Sequence, residues 1–184
     1  FHEVDAGKFY RSPQLEATDL DEMIKRHHIK TVINLRGTST NSIWYQRQIE
    51  IIKKNKITQI DISMSADHIP HHKDLVKLLD SLKNAQRPIL VHCMAGVDRT
   101  GEASAIYKML YMKTPKEEAL DMLSENFVYF EAIKPAKIYF IRDIWQNESW
   151  ARETYKPCES DYEFYDTKTL LCNDQHEVST SATL

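Results

Sequence analysis

The sequence predicts an α/β fold, a central, mostly parallel, twisted sheet flanked by helices on both faces. Short runs rich in β-branched residues alternate along the chain with segments of helical periodicity. One of these runs, Pro88 to Val91, is wholly apolar, as a strand covered on both faces must be. All six prolines fall at the edges of the segments so defined.

Gly7 to Leu15 reads as an irregular opening with a turn at Ser12-Pro13. Thr18 reads as an N-cap, with Asp19, Asp21 and Glu22 in the first turn of a helix to about His27. Ile29 to Leu35 (IKTVINL) reads as a buried strand and Asn34 to Thr40 as a loop. Ser42 to Asn55 is helical, with Tyr45, Ile49 and Ile52 on one side and Lys53, Lys54 and Lys56 near the end that prefers cations. Ile57 to Met64 is a second strand, alternating Ile60, Ile62 and Met64. Ser65 to His72 is a polar loop around Pro70.

Asp74 to Ala85 is an amphipathic helix, with Leu75, Leu78, Leu79 and Leu82 on one face. The strand Pro88 to Val91 runs straight into His92-Cys93. Arg99 to Met112 is the next helix, with Ala103, Ile106, Tyr107 and Leu110 facing inward. Thr114-Pro115-Lys116-Glu117 is a capping box with proline at N1, starting a helix to about Glu125. Lys134 to Trp145 makes the last helix.

A length of 184 residues fits one domain, placed at 1–150, followed by a polar C-terminal extension, 151–184. The end of that extension, Ser179 to Leu184, is expected to be disordered. With 42% hydrophobic and 28% charged residues, wholesale disorder and fibrous repeats are excluded. No apolar run is long enough to cross a membrane as a helix. A net charge of −3 gives no global attraction to nucleic acid or an anionic membrane, so any anion site must be local. The chain is expected to be monomeric. Residue 1 is Phe, so the numbered chain reads as a fragment or a processed form.

The four glycines are Gly7, Gly37, Gly96 and Gly101, and two of them share one segment. That segment, His92-Cys93-Met94-Ala95-Gly96-Val97-Asp98-Arg99-Thr100-Gly101, lies between a buried strand and a helix N-terminus. Backbone N–H groups of such a loop can converge on one point, and the helix dipole adds positive potential there. The loop therefore suits an oxyanion. Arg99 offers a planar fork matched to two phosphate oxygens. Cys93 sits beneath the same anion, where a positive field favours the thiolate. From average composition the pattern H-C-x5-R-[ST]-G arises by chance in on the order of one in 10⁴ to 10⁵ chains of this size. A buried cysteine at a strand end followed by an ordinary helix is the bland alternative.

This run resembles the signature loop of the cysteine-dependent protein tyrosine phosphatase superfamily, in its compact, dual-specificity-like bacterial branch. Lys8-Phe9-Tyr10-Arg11-Ser12, Val32-Ile33-Asn34-Leu35-Arg36 and Pro88-Ile89-Leu90-Val91-His92-Cys93 support the resemblance, which covers roughly Gly7 to Trp145. It implies hydrolysis of phosphate monoesters through a phosphocysteine intermediate, without metal or other cofactor. Cys93 would be the nucleophile. Arg99 and the loop Met94, Ala95, Gly96, Val97 and Asp98 would bind the phosphoryl oxygens. Thr100 would hydrogen-bond the departing thiolate, and His92 would orient the loop.

The resemblance also implies an aspartic general acid. Asp67 is the choice, because it follows a strand in the loop before the amphipathic helix, where the family carries its acid. Asp67-His68-Ile69-Pro70 also resembles the D-H-x-P of tensin-homologue-type lipid phosphatases. Asp98, just before the arginine, and Asp61, which the alternation places inside a strand, are the other candidates. The substrate is expected to be a phosphorylated protein, with inositol polyphosphates or phosphoinositides as the alternative. Met94 and Val97 stand where lipid-phosphatase loops carry lysines, so a polyphosphorylated ring would need cations from Lys8, Arg11, Arg36, Lys73 or the histidines. His68, His71 and His72 read as a solvated patch that becomes cationic in mild acid. Pro70 stands between His68 and His72 and disfavours a metal pair there. A phosphate-binding module without turnover, and sulfur transfer or arsenate reduction, are rival functions.

Of the three cysteines, Cys158 and Cys172 lie in the extension. Joined, they would close a loop of about 15 residues, worth roughly 3 kcal/mol. Such a bridge would suit an exported protein, and that setting is favoured over the cytoplasm.

Overall fold

The computed structural model describes residues 1–123 and 134–167. Five strands form one sheet: β1 (His2–Asp5), β2 (Phe9–Ser12), β3 (Thr31–Asn34), β4 (Thr58–Asp61) and β5 (Ile89–His92). Their order is β1-β2-β5-β3-β4. All neighbours pair in parallel except β1, which lies antiparallel to β2 along one edge. The sheet is the mostly parallel one the sequence predicts.

Helices α1 (Ala17–Arg26), α2 (Ile43–Asn55) and α3 (His72–Asn84) connect the strands, and α4 (Asp98–Tyr111) follows β5. Leu75, Leu78, Leu79 and Leu82 of α3 are fully buried, in the larger of two apolar clusters, together with Ile33, Ile89, Val91, Ile106 and Tyr107. Leu20 and Ile24 of α1 and Ile52 of α2 pack with Val32 and Leu90 in the second cluster. Ile33 and Val32 are neighbours on β3 and fall in different clusters, so the sheet is covered on both faces.

The first two strands depart from the expected irregular opening. Their four-residue lengths and the buried polar Arg11 and Ser12 hide them from an apolar pattern. Helix α1 starts at Ala17 behind Glu16 rather than behind Thr18, and its cap position makes no side-chain bond. Strand β4 is shorter than expected. Ile62 and Met64 are buried beyond its end, outside the ladder, where one isolated bridge from Ser63 to Arg36 is the pairing formed among the described residues. Pro115, not Thr114, occupies the cap position of α5 (Lys116–Ala119), which tightens into a 3₁₀ turn over Leu120–Leu123. The rest of that expected helix, to Glu125, lies outside the described residues.

The last expected helix divides into α6 (Pro135–Tyr139) and a π-helical turn over Phe140–Ile144. A further helix, α7 (Glu148–Glu153), follows, with the Asn147 side chain accepting a bond from the Trp150 N–H. Ala151 and Tyr155, both within the polar extension, are fully buried in the larger cluster. Tyr155 donates its hydroxyl to the Pro70 carbonyl at 2.6 Å. Cys158 is disulfide-bonded. Its expected partner Cys172 and the expected disorder of Ser179–Leu184 lie outside the described residues.

Tyr155→Phe removes the donor to a buried carbonyl while keeping the ring. It is expected to lower unfolding stability by about 1–3 kcal/mol, read by urea denaturation. An unchanged midpoint would show that the hydroxyl bond to Pro70 adds nothing to stability.

Candidate active site

The register of the sheet places the site. Ser12, His92, Asn34 and Asp61, the last residues of four parallel strands, pair in one row across β2, β5, β3 and β4. In open α/β sheets ligands bind just beyond such a row. Here the next residues are Pro13, Cys93, Leu35 and Ile62.

Cys93 is 1% exposed, directly after β5. The loop from it reaches α4, which begins at Asp98, so the free N–H groups of a fourteen-residue helix face the loop. Gly96 is the residue that lets the loop fold here. Its φ is +74°, and a Cβ on it would lie 2.5 Å from the Pro13 nitrogen. The loop is laced to the strand beside it through Gln14 N–H to the Met94 carbonyl at 3.0 Å. Met94 and Ala95 are exposed, and Val97 and Asp98 are half-buried.

Arg99 donates to the carbonyls of Leu35 at 3.4 Å and Met64 at 3.3 Å. Its Nε is buried and makes no hydrogen bond among the described residues. Thr100 Oγ1 is likewise buried and without a partner, and so is Ser12 Oγ. The bond from Thr100 to Cys93 that the resemblance implies is not among those formed. The three unpaired groups are polar atoms at the end of the sheet where the loop lies, the kind of donors that an oxyanion would satisfy.

Of the polar residues beneath the loop, the sequence predicts His92 but not the roles of Arg11 and Gln48. Arg11, expected as a cation for substrate, is 1% exposed and donates to the carbonyls of Gly96 at 2.7 Å and Met122 at 2.8 Å. It holds the loop from below. Burial lowers its pKa to about 10, against the opposing charge of Cys93, and it stays a cation at neutral pH. Lys8, at the other end of β2, pairs with Asp5 at 3.6 Å and is remote from the site. His92 is buried, and burial pushes its pKa down to about 4, so its ring is neutral. The Gln48 amide reaches its Nε2 at 3.0 Å, leaving Nδ1 to carry the proton toward the Cys93 carbonyl at 3.4 Å. Gln48 lies three residues after Tyr45 and four before Ile52 on α2, a spacing that marks it as inward-facing.

Arg36 follows Leu35 and stacks on the Trp44 ring at 3.7 Å. It donates to Gln14 Oε1 at 3.3 Å. Burial lowers its pKa, helped by the charge of Arg99 and opposed by that of Cys93. A second fixed guanidinium therefore stands within electrostatic reach of the loop.

The three candidate acids differ. Asp61 accepts bonds from Asn34, Gln59, Tyr45 and Thr38, which engage both of its oxygens. That leaves it no freedom to deliver a proton. Asp98 opens α4 and accepts the Lys134 N–H at 3.0 Å. Asp67 is exposed on the loop between β4 and α3, with Oδ1 3.1 Å from Lys134 Nζ. Lys134 thus brings Asp67 and Asp98 to one side of the loop mouth.

His68, His71 and His72 go to separate partners, Ser65, Tyr165 and the Arg152 carbonyl. No group of three or more metal-binding side chains gathers among the described residues. A cavity of about 270 Å³ opens on the far side of the 65–71 loop, lined by His71, His72 and Arg152 among others, and residues 93–99 do not line it.

The sequence profile of the "Dual specificity phosphatase, catalytic domain" family matches residues 12–148. This chain belongs to that family. Its members are cysteine-based phosphatases, and the match contains the whole of the loop from Cys93 to Thr100. Tyrosine-protein phosphatase vhp-1 of Caenorhabditis elegans is 24% identical over 117 residues, 64% of this chain. The chain spans only 17% of that protein's length. Among solved structures, TpbA of P. aeruginosa in complex with pTyr matches with a TM-score of 0.62 at 20% identity, over 80% of this chain and 85% of that one. The core catalytic domain of the PP-IP phosphatase SIW14 from S. cerevisiae matches at 0.65 and 24%, over 79% and 85%. PTPMT1 in complex with PI(5)P matches at 0.56 and 15%, over 77% and 92%. These likenesses share the fold of the dual-specificity domain.

Unfolded, the imidazole of His92 takes up a proton near pH 6.5; folded, it stays neutral to about pH 4. Between these values the unfolded chain binds more protons, so stability falls as the solution is acidified. His92→Gln is expected to flatten that fall, seen as a smaller spread of denaturation midpoints between pH 6.5 and 4. Gly96→Ala is expected to weaken binding of inorganic phosphate at least tenfold by titration calorimetry, because the φ and the Pro13 contact both exclude a Cβ.

Proposed function

We propose that the chain hydrolyses phosphate monoesters of the dual-specificity class through a phosphocysteine intermediate. The supporting observation is a buried thiol at the end of β5, followed at the start of α4 by Arg99 Nε and Thr100 Oγ1, both buried and without a partner among the described residues. In this reading the Cys93 thiolate attacks phosphorus, and the bond to the leaving oxygen breaks as Asp67 protonates that oxygen. Arg99 and the N–H groups of Met94, Ala95, Gly96, Val97 and Asp98 hold the equatorial oxygens, whose charge they meet more strongly in the transition state than in the ground state. Asp67 then takes a proton from water, which attacks the phosphocysteine and releases phosphate. Thr100 bonds the thiolate as it departs. His92, neutral and held by Gln48, fixes the loop and transfers no proton.

Asp67 is preferred to Asp98 as the acid because its side chain is exposed on a loop, whereas Asp98 is the first residue of α4 and accepts the Lys134 backbone N–H. Arg36 favours a second substrate reading. A guanidinium fixed on Trp44 beside Arg99 suits a substrate with a further phosphate, such as an inositol polyphosphate or phosphoinositide. The disulfide at Cys158 supports an exported setting.

Phosphate release is to be measured with chelator present, from a phosphotyrosine peptide, a phosphoserine peptide, inositol hexakisphosphate and a phosphoinositide. Wild type is expected to act on the peptides, and Cys93→Ser to be inactive while still binding phosphate. Asp67→Asn is expected to slow substrates with poor leaving groups about 10²–10⁴-fold, and activated aryl phosphates far less. Activity surviving Cys93→Ser would remove the nucleophile. The Asp67→Asn pattern appearing in Asp98→Asn instead would move the acid. Preference for the inositol phosphates, lost selectively in Arg36→Ala, would establish the second reading.

A further inference from the structure

The loop that carries Asp67 is tied to a distant part of the chain, residue by residue. Asp67 Oδ1 lies 3.1 Å from Lys134 Nζ. The His68 carbonyl accepts from Lys137 Nζ at 2.7 Å. Ile69 N–H donates to the Phe164 carbonyl at 3.0 Å, and the Pro70 carbonyl accepts from Tyr155. His71 Nδ1 meets the Tyr165 hydroxyl at 2.9 Å. Within the loop, Ser65 Oγ accepts the N–H groups of Asp67 and His68.

These ties are not equal. The pair of Lys134 and Asp67 is about half exposed on both sides, where solvent screens it. Lys137 is fully buried. Its Nζ also lies 2.9 Å from Oε2 of Glu102, likewise fully buried. Glu102 is on α4, one turn beyond Arg99. Burying two charges costs more in lost hydration than a well-packed apolar pair would, so stability alone does not account for them. Glu102 Oε1 even lacks a partner among the described residues. The arrangement does have a directional result. One donor of the ammonium is committed to α4 and another to the backbone of the residue next to Asp67.

We propose that Lys137, anchored by Glu102, is a positioning residue for proton transfer. It registers the Asp67 loop against the helix that carries Arg99, so that the acid meets the oxygen leaving from phosphorus. This rests on the reading of Asp67 as the general acid.

The test compares kcat/KM over aryl phosphates of graded leaving-group pKa for wild type, Asp67→Asn, the double variant Lys137→Met/Glu102→Leu, and the triple variant. The apolar double replaces both charges, so it leaves no orphaned ion, and a thermal melt reports its folding. The expected double variant binds inorganic phosphate within twofold of wild type and turns over the most activated ester within threefold. It loses at least tenfold on the poorest leaving group. Adding Asp67→Asn to it costs under a third of the factor that Asp67→Asn costs in wild type. A uniform loss across leaving groups, or none, overturns the proposal while leaving Asp67 as the acid. If Asp67→Asn in wild type shows no leaving-group dependence, the acid assignment fails and the proposal with it. Should the double variant not fold, Lys137→Gln/Glu102→Gln, which also removes both charges, carries the same comparison. Its neutral amides are expected to show the same graded loss, and an unchanged gradient overturns the proposal.

Discussion

Everything at the site follows from one geometric constraint, the parallel register that ends four strands on the row Ser12, His92, Asn34 and Asp61. Parallel strands require crossovers, and the crossovers here are helices that cover both faces of the sheet. Each strand must therefore turn out of the sheet at the same edge, and each turn delivers backbone and side chains to one place. Cys93 arrives from β5, the Leu35 carbonyl that receives Arg99 from β3, and Pro13 from β2. A slip of one residue in β5 would turn the side chains of that strand to the opposite faces. The wholly apolar Ile89-Leu90-Val91 alone would barely oppose such a slip. The polar groups that follow it do, because Gln48 must meet His92 and Gln14 must meet Met94.

Those polar groups are costly to bury. A buried guanidinium, a buried neutral imidazole and a buried glutamine side chain lose their hydration, and each is repaid only by specific partners. Arg11 has the carbonyls of Gly96 and Met122; His92 has Gln48; Gln48 has Gln14 and Gln59. Above this floor the balance reverses. Among the described residues Arg99 Nε and Thr100 Oγ1 are buried with no partner, at a cost of about 1–3 kcal/mol for each such group. The loop is thus rigid where it meets the protein and unsatisfied where it would meet an anion. An arrangement of that kind stabilises incoming charge without reorganising first, as transition-state stabilisation requires.

Much of this was legible in the sequence because it depends on local order. The loop from Cys93 to Thr100 is contiguous, so its spacing survives in one dimension, and α3 announces itself through four leucines on one face. Strands β1 and β2 were not legible. β2 is four residues long, and half of it is polar, since Arg11 and Ser12 serve the loop rather than the core. Arg11 was read as a cation for substrate because charge usually seeks solvent; only the fold reveals two carbonyls waiting for it. Alternation carried Ile57 to Met64 past the real end of β4, because Ile62 and Met64 are buried without being in the ladder. Asp61 against Asp67 was likewise a question of which donors surround a carboxylate, a property of residues as far away as Asn34 and Tyr45.

The two halves of the site are held by different means, and this explains why the segment after residue 150 packs inward. The phosphate-binding half hangs on the sheet, whose register fixes it. The half that carries Asp67, residues 65–71, runs from the end of β4 to the start of α3 and contributes no strand to the sheet. The proton transfer proposed for Asp67 requires a leaving oxygen within hydrogen-bond reach, so that half also needs a frame. α6, Tyr155, Phe164 and Tyr165 supply it, meeting the backbone or side chains of His68 to His71. A polar composition after residue 150 suggested an appendage because few of its residues are aliphatic. Its aromatic rings do the packing instead: Tyr155 lies against Phe140, Trp150 and Tyr162, while its hydroxyl reaches Pro70. A tyrosine with a buried ring and a bonded hydroxyl joins core to loop in a way no leucine could. The loop of Asp67 is therefore as much a product of the end of the chain as the loop of Cys93 is of its middle.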